Sequence, residues 1–114
     1  FRRNRIPFRP DGLVETEKEK YFIEYDTGTE SRTRILGKLE NYLQTYSIMN
    51  EMHPVLWVCR TETRKKAIER YAKELKEKLL KSRNKPDFPT MYCAVEGADT
   101  KFLAGELDLA PFWQ

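Results

Sequence analysis

The sequence predicts an α/β domain in which helices flank a mixed central β-sheet. Two strand-like segments come first, within residues 10–26, and the polar stretch between them predicts a β-hairpin. Two further strand-like segments, at residues 55–59 and 90–95, each follow a helix-like segment. Because a strand–helix–strand–helix–strand series is typical of parallel crossovers, we expect the hairpin to add an antiparallel edge. The predicted element order is therefore ββαβαβ.

The chain has 114 residues, a length that predicts one domain with a modest core. We assign that domain to residues 10–114. Residues 1–9 contain four arginines and begin with Phe1 rather than a methionine, so we expect a basic linker or the tail of a preceding element. The net charge of +3 permits a nucleic-acid partner without requiring one.

Several classes of protein are disfavoured by what the sequence lacks. Cys59 and Cys93 each lie in an apolar run, which predicts two reduced core thiols rather than a metal site. His53 directly precedes Pro54, and we interpret it as a loop residue. No segment approaches the roughly 20 apolar residues of a membrane span, and no signal peptide is recognisable. We therefore expect a cytoplasmic location and no membrane partner.

The predicted hairpin carries acids at the ends of its strands. Its strands are rich in the β-branched, aromatic and aliphatic residues Leu13, Val14, Tyr21, Phe22, Ile23 and Tyr25. Asp11 opens the first strand, and Glu24 and Asp26 close the second. Residues two apart on a strand point to one face, so Glu24 and Asp26 should share a side of the sheet.

The helix after the hairpin should run to about residue 46. Thr27 and Glu30 have capping-box spacing, and Thr29 or Ser31 could equally cap the helix. Apolar side chains recur at spacings of three and four, at Ile35, Leu39, Tyr42, Leu43 and Tyr46. On the same spacing rule, one edge of this helix should present Arg34, Lys38 and Tyr42.

The second helix should begin after Thr61 or Thr63 and reach about Ser82. Its charged face is typical of a solvated helix with i,i+4 pairs, and a phosphate-facing surface is the alternative. Further along, Phe102 and Leu103 predict a short strand or turn. Residues 107–113 predict an apolar tail that packs on the core.

The three acids and one lysine of the hairpin region suggest phosphodiester chemistry. Mg²⁺ is usually held by one or two carboxylates beside water and phosphate, and a nearby cation assists attack on the phosphate. Asp11, Glu24 and Asp26 are therefore candidate metal ligands, with Lys38 as the cation. Taken singly, each acid is better explained as a turn or cap residue. Glu24, however, lies within an apolar strand and must be exposed, paired or functional.

The motifs in order are Arg9-Pro-Asp-Gly12, then Phe22-Ile-Glu-Tyr-Asp-Thr-Gly-Thr-Glu30, then Lys38-Leu-Glu-Asn-Tyr42. They resemble the PD-(D/E)XK nuclease superfamily and, more narrowly, are similar to the replication-relaxation proteins of Gram-positive bacteria, their plasmids and mobile elements. The motif similarity covers residues 9 to about 60. The rest of the chain resembles these proteins only in the order of its elements.

The resemblance implies a restriction-endonuclease-like fold, Mg²⁺ or Mn²⁺ as cofactor and DNA as partner. It implies catalytic roles for Asp11, Glu24, Asp26 and Lys38, with the three acids as metal ligands. It also implies a winged-helix DNA-binding region ahead of this domain in the full-length protein.

One position departs from the superfamily pattern, which has a lysine two residues after the second acid. That position is Asp26 after Glu24, or Gly28 after Asp26. Lys38 on the next helix could take the role, as a migrated lysine does in some members. If Lys38 does not reach the acids, the domain would bind DNA without cutting it.

Three interpretations follow. The first is a metal-dependent endonuclease domain that nicks DNA during plasmid replication or transfer. The second is a catalytically inactive domain of the same fold that serves DNA binding or protein assembly in a replication initiator or regulator. The third is a small α/β domain unrelated to nucleic acid. A homo-oligomer is a separate partner expectation that applies to any of these interpretations. For either of the first two, the expected DNA-contacting residues are Arg34, Arg64 and Lys65.

Overall fold

A computed structural model describes residues 8–114, so the first seven residues of the expected linker lie outside the described residues. Four strands and three helices follow one another along the chain. In order they are β1 (Gly12–Glu15), β2 (Lys20–Asp26), α1 (Arg32–Met49), β3 (Val55–Cys59), α2 (Glu62–Leu80), β4 (Met91–Val95) and α3 (Ala98–Leu103).

The strands form one mixed sheet in the spatial order β1-β2-β3-β4. The hairpin strands β1 and β2 are antiparallel, with Gly12 opposite Ile23. The pairs β2–β3 and β3–β4 are parallel, as expected for strands joined by the crossover helices α1 and α2. The predicted class, a mixed sheet flanked by helices, is confirmed.

Strand β3 lies between β2 and β4 and is covered on both faces, so all five of its residues are buried. Its side chains alternate between two apolar layers. Val55, Trp57 and Cys59 pack in the layer formed with α1 and α2, while Leu56 and Val58 face the opposite layer, which includes residues of α3. Both long helices therefore cover the same face of the sheet.

Two hydroxyl caps fix where the long helices begin. Ser31 Oγ accepts the Arg34 N–H at 3.2 Å and caps α1, so Ser31 is the cap among the alternatives. Thr61 Oγ1 accepts the Arg64 N–H at 3.2 Å and caps α2. Helix α1 ends at Asn50, whose left-handed φ of 58° directs the chain towards β3.

The prediction of a short strand or turn at Phe102 and Leu103 is wrong, because both belong to α3. The chain leaves β4 through Gly97 at a φ of 97°, and the Asp99 carboxylate accepts the Gly97 N–H at 2.9 Å. This turn starts a helix rather than an extended segment. Phe102 then packs against Tyr21 with 5.5 Å between the ring centroids.

The C-terminal tail packs on the core, as predicted. Trp113 is fully buried, forms an isolated bridge with Met91 and donates its indole N–H to the Ala72 carbonyl at 3.0 Å. Cys59 and Cys93 are buried free thiols, which agrees with the sequence-based expectation. Within residues 8–114, none of the helices combines the length and apolarity needed to cross a membrane.

Candidate functional site

A pocket of about 310 Å³ lies between the hairpin and the first crossover helix. The hairpin supplies acidic groups from one side, and α1 supplies basic and aromatic groups from the other. The lining residues are Phe8, Arg9, Asp11, Glu24, Arg34, Lys38, Asn41 and Tyr42. The predicted edge of α1 therefore faces two of the three predicted acids.

Asp11 and Glu24 are brought together by the antiparallel pairing of the hairpin. Because Gly12 pairs with Ile23, the preceding residue Asp11 lies beside Glu24 on the neighbouring strand. The Tyr25 N–H donates to Asp11 Oδ2 at 2.8 Å and anchors that carboxylate at the end of the ladder. The pocket thus contains two carboxylates from two adjacent strands.

Glu24 is only 3% exposed, which is unusual for a carboxylate. Tyr42 donates its hydroxyl hydrogen to Glu24 Oε2 at 2.6 Å, and Lys38 Nζ lies 3.5 Å from Glu24 Oε1. Burial raises the pKa of Glu24, and the Asp11 charge adds to this, while Tyr42 and Lys38 oppose it without cancelling it. Glu24 is thus a buried, hydrogen-bonded acid whose neutral form is favoured more than usual.

The Lys38 amine reaches the acid pocket, where it lies 3.5 Å from Glu24 Oε1. The catalytic role predicted for Lys38 depends on this contact. The same amine donates to Glu30 Oε1 at 2.8 Å as well as lying beside Glu24. Burial alone would lower the pKa of Lys38, but the Glu30 hydrogen bond and the charges of Glu24, Glu30 and Asp11 raise it above the usual value. The lysine therefore carries its positive charge in the pocket.

Asp26 shares the helix-covered face with Glu24 but is not among the residues that line the pocket. Its side chain is fully buried, and Arg64 of α2 binds it with two hydrogen bonds, from Nε at 2.7 Å and from Nη2 at 2.8 Å. Burial works to raise the pKa of Asp26, yet the Arg64 guanidinium, with the Gly28 N–H, outweighs it and holds the pKa below its ordinary range.

The three predicted metal ligands therefore divide into a pair and a single residue. Asp11 and Glu24 share the pocket with Lys38, whereas Asp26 is bound by Arg64. Within residues 8–114, no three or more histidine, cysteine, aspartate or glutamate side chains gather in a way that could hold a metal ion.

Two further residues organise the pocket, and sequence reasoning gave neither of them this role. Glu30 appeared only as part of a possible helix cap, yet its carboxylate accepts from Arg34 Nε and Lys38 Nζ, each at 2.8 Å. Glu30 precedes Arg34 and Lys38 by four and eight residues, and this spacing is the sequence feature that could have indicated the two ion pairs. Tyr42 was placed on the correct edge but was not linked to Glu24, from which it is separated by 18 positions.

The expected DNA-contacting residues are each engaged with an acid. Arg64 holds Asp26 and also donates to the Glu30 carbonyl at 3.2 Å. Lys65 pairs with Glu69, one turn away, at 3.2 Å. Arg34 pairs with Glu30 but keeps most of its side chain exposed at the pocket. Of the three, Arg34 is the one placed to meet a ligand of the pocket.

The fold and the pocket define a mixed α/β domain with an acid pair and a lysine between a hairpin and its crossover helix. The model of the replication-relaxation family matches residues 1–59, slightly more than half of the chain, and the chain belongs to this family. The matched part contains Asp11, Glu24 and Lys38. Family membership suggests a role in replication or DNA processing. No curated protein and no solved structure gives a match.

Proposed function

We propose that this domain of a plasmid or mobile-element replication-relaxation protein acts on DNA by metal-dependent nicking, and that the pocket of Asp11, Glu24 and Lys38 is the active site. The observation that carries the proposal is the 3.5 Å separation between Lys38 Nζ and Glu24 Oε1, in a pocket that also contains Asp11. Carboxylates that can hold a metal ion, beside a cation that can stabilise charge on the attacked phosphate, suit metal-dependent phosphodiester hydrolysis.

The donor atoms of the pocket fit Mg²⁺ or Mn²⁺. Mg²⁺ is commonly bound by one or two carboxylates together with water and substrate phosphate, so Asp11 and Glu24 suffice without a third acid. The Tyr25 N–H takes only Oδ2 of Asp11. When bound, the ion would act as a Lewis acid on the phosphate and lower the pKa of a bound water.

The protein's own groups orient the pocket and balance its charge. Tyr42 holds Oε2 of Glu24 and thereby directs Oε1 towards Lys38. Glu30 fixes the Lys38 amine, which would lie against the attacked phosphate and neutralise the charge that develops on it. Arg9 and Arg34 line the same pocket and would bind the flanking phosphodiester backbone.

A restriction-endonuclease-like fold is part of the same proposal. The acids lie on a hairpin and the lysine on the helix that crosses over to β3, which suits a lysine that has moved from the second strand. The strand position that the superfamily gives to lysine is occupied by Asp26, and here Asp26 holds Arg64 instead. In this proposal Asp26 supports the fold and is not a metal ligand.

One observation favours a second candidate function, a catalytically inactive domain for DNA binding or assembly. Lys38 is already bound by Glu30, Asp26 by Arg64 and Glu24 by Tyr42, so three of the four predicted catalytic groups are engaged by side chains of the protein that are not themselves predicted catalytic groups. Such internal pairing is typical of a charged network that stabilises a fold. The two candidates differ in whether the pocket cuts DNA.

A plasmid assay separates them. Supercoiled plasmid is incubated with the chain in Mg²⁺ or Mn²⁺, and conversion to the open-circular form is measured. We expect nicking by the wild type and its loss in Asp11→Asn and Glu24→Gln. The control is Glu17→Gln, which removes an exposed carboxylate from the hairpin turn. A wild type that leaves the plasmid supercoiled would support the inactive candidate, and so would equal nicking by all four proteins.

A further inference from the structure

Arg64 of α2 makes three hydrogen bonds that span the connection between β2 and α1. Its Nε and Nη2 atoms donate to the Asp26 carboxylate at 2.7 Å and 2.8 Å, and Nη2 also donates to the backbone carbonyl of Glu30 at 3.2 Å. Asp26 is the last residue of β2, and Glu30 lies just before α1, which begins at Arg32. One guanidinium group therefore holds both sides of this connection.

The connecting segment follows the Arg64 side chain. Residues 27–31 belong to neither β2 nor α1, so hydrogen bonds and packing with other elements set their course. The Gly28 N–H donates to Asp26 Oδ1 at 3.3 Å. A Cβ atom added at Gly28 would lie 3.9 Å from Arg64 Cγ, so the segment passes along the stem of this arginine. The position of Glu30 therefore depends on Arg64.

Glu30 in turn holds the lysine of the pocket. Its side chain is only 14% exposed, and Oε1 accepts a hydrogen bond from Lys38 Nζ at 2.8 Å. The same amine lies 3.5 Å from Glu24 Oε1. The backbone of Glu30 is thus bound by Arg64 while its carboxylate binds Lys38. Two successive contacts connect α2 to the pocket.

We propose, resting on the proposed action on DNA, that Arg64 is a positioning residue, which holds Glu30 and thereby places the Lys38 amine beside Glu24. Arg64 is not among the residues that line the pocket, so it acts through Glu30 and not by touching the substrate. A guanidinium suits this role because its planar fork binds one carboxylate with two N–H groups and keeps a further N–H for the carbonyl. In this assignment Asp26 anchors Arg64.

The test measures how fast acetic anhydride acetylates the Lys38 amine under trace labelling of the chain, without DNA or a divalent ion. Lys65 is the internal reference, because its side chain is similarly exposed, 23% against 26% for Lys38, and is also bound to a glutamate. The variant is Arg64→Lys, which keeps a positive charge beside Asp26 and removes the planar guanidinium. The matched control is Arg70→Lys, the same change at an exposed position of α2.

The acetylation rate reports the surroundings of Lys38 because only the neutral amine reacts. Burial alone would lower the pKa of Lys38, but the Glu30 hydrogen bond and the negative charges nearby outweigh it. In Arg64→Lys, Glu30 should be held less firmly, so we expect Lys38 to react severalfold faster relative to Lys65. The control should match the wild type. The charged groups around the Lys38 amine are Asp11, Glu24, Asp26, Glu30, Arg9 and Arg34.

A second variant separates this role from a general loosening of the fold. Glu30→Gln removes the acceptor charge and should itself make Lys38 react faster. If Arg64 acts through Glu30, adding Arg64→Lys to Glu30→Gln gives no further increase. Three results would overturn the assignment: equal Lys38 rates in wild type and Arg64→Lys, the same increase in Arg70→Lys, or a further increase in the double variant.

The plasmid assay supplies the functional readout. Arg64→Lys should lower kcat for nicking by up to about 10²-fold with KM little changed, because the lysine is displaced while the rest of the pocket still binds DNA. If wild type leaves the plasmid intact but the Lys38 rates follow the expected pattern, Arg64 positions the lysine and the nicking proposal fails. If wild type nicks and Arg64→Lys changes neither kcat nor the Lys38 rate, the nicking proposal stands and the positioning role of Arg64 is refuted.

Discussion

The hydroxyl of Tyr42 and the carboxylate of Glu24 are 2.6 Å apart, and both side chains are almost fully buried. The tyrosine lies on the first crossover helix and the glutamate on the second strand, so the bond fastens α1 to the hairpin. Burial and the Glu24 charge raise the pKa of Tyr42, which keeps its proton on the phenol oxygen. The Tyr42 hydroxyl therefore remains protonated and continues to donate its hydrogen bond to Glu24 Oε2.

We predict that Tyr42→Phe lowers the free energy of unfolding by about 1–3 kcal/mol, because a buried carboxylate oxygen loses its donor. Urea unfolding at neutral pH measures this. Tyr46→Phe is the control, since Tyr46 lies one turn later on α1 and its hydroxyl makes no hydrogen bond within residues 8–114. Equal losses in the two variants would contradict a specific role for the Tyr42–Glu24 bond.

Glu24 should make the protein less stable as the pH rises. Its folded-state pKa is raised above the ordinary value, which is about 4.3. Its contribution to stability is therefore fully present below about pH 4 and is lost as the pH rises through the folded-state pKa. We predict that the unfolding free energy of wild type, relative to Glu24→Gln, declines as the pH rises above about 4 and levels off once the pH has passed the folded-state pKa.

The comparison with Glu24→Gln uses unfolding curves at several pH values, with Glu17→Gln as an exposed control. The difference in unfolding free energy between wild type and Glu17→Gln should show little dependence on pH, because both proteins retain Glu24. If the unfolding free energy of wild type relative to Glu24→Gln stayed constant or increased as the pH rises, the buried Glu24 carboxylate would not be the source of the pH dependence.

Arg64 should stabilise the fold through Asp26. The Asp26 side chain is fully buried and receives two hydrogen bonds from the guanidinium, so Arg64→Met leaves a buried charge without its partner. We predict a loss of about 3–5 kcal/mol at neutral pH, as is typical when one member of a buried pair is removed. Lys65→Met, which breaks an i,i+4 pair, should cost less than about 1 kcal/mol.

The pH dependence of this loss follows from the lowered pKa of Asp26. The contribution is present above the ordinary aspartate pKa, about 3.9, and is lost as the pH falls through the folded-state value. The difference in unfolding free energy between wild type and Arg64→Met should therefore become smaller below about pH 4. If this difference in unfolding free energy were the same at acidic and neutral pH, Arg64 would stabilise the fold by packing and not by its charge.

The four strands and the two long helices could be predicted from local patterns because those patterns are strong. The apolar run at Val55–Cys59 coincides with β3, and the apolar spacing along α2 is regular. The last helix could not be predicted in this way. Its start depends on the left-handed turn at Gly97 and the Asp99 side chain, and six residues are too few to show a clear period.

The site was predicted only as far as local spacing reaches. The period of two placed Glu24 and Asp26 on one face, and the helix period placed Lys38 and Tyr42 on one edge. The partner of Asp26 is Arg64, 38 positions later, brought close by the packing of α2 on the sheet. No local pattern encodes that contact, so the sequence suggested a cluster of three acids where the structure separates one of them.

The most direct test of the central claim compares two lysine variants in the plasmid assay with Mg²⁺. Lys38 and Lys65 are similarly exposed, and each is bound to a glutamate, but only Lys38 lies in the pocket. We predict that Lys38→Met slows nicking by about 10²–10³-fold, the usual effect of removing one group that stabilises developing charge, while Lys65→Met nicks like the wild type. Equal rates in the two variants would contradict an active site at Asp11, Glu24 and Lys38.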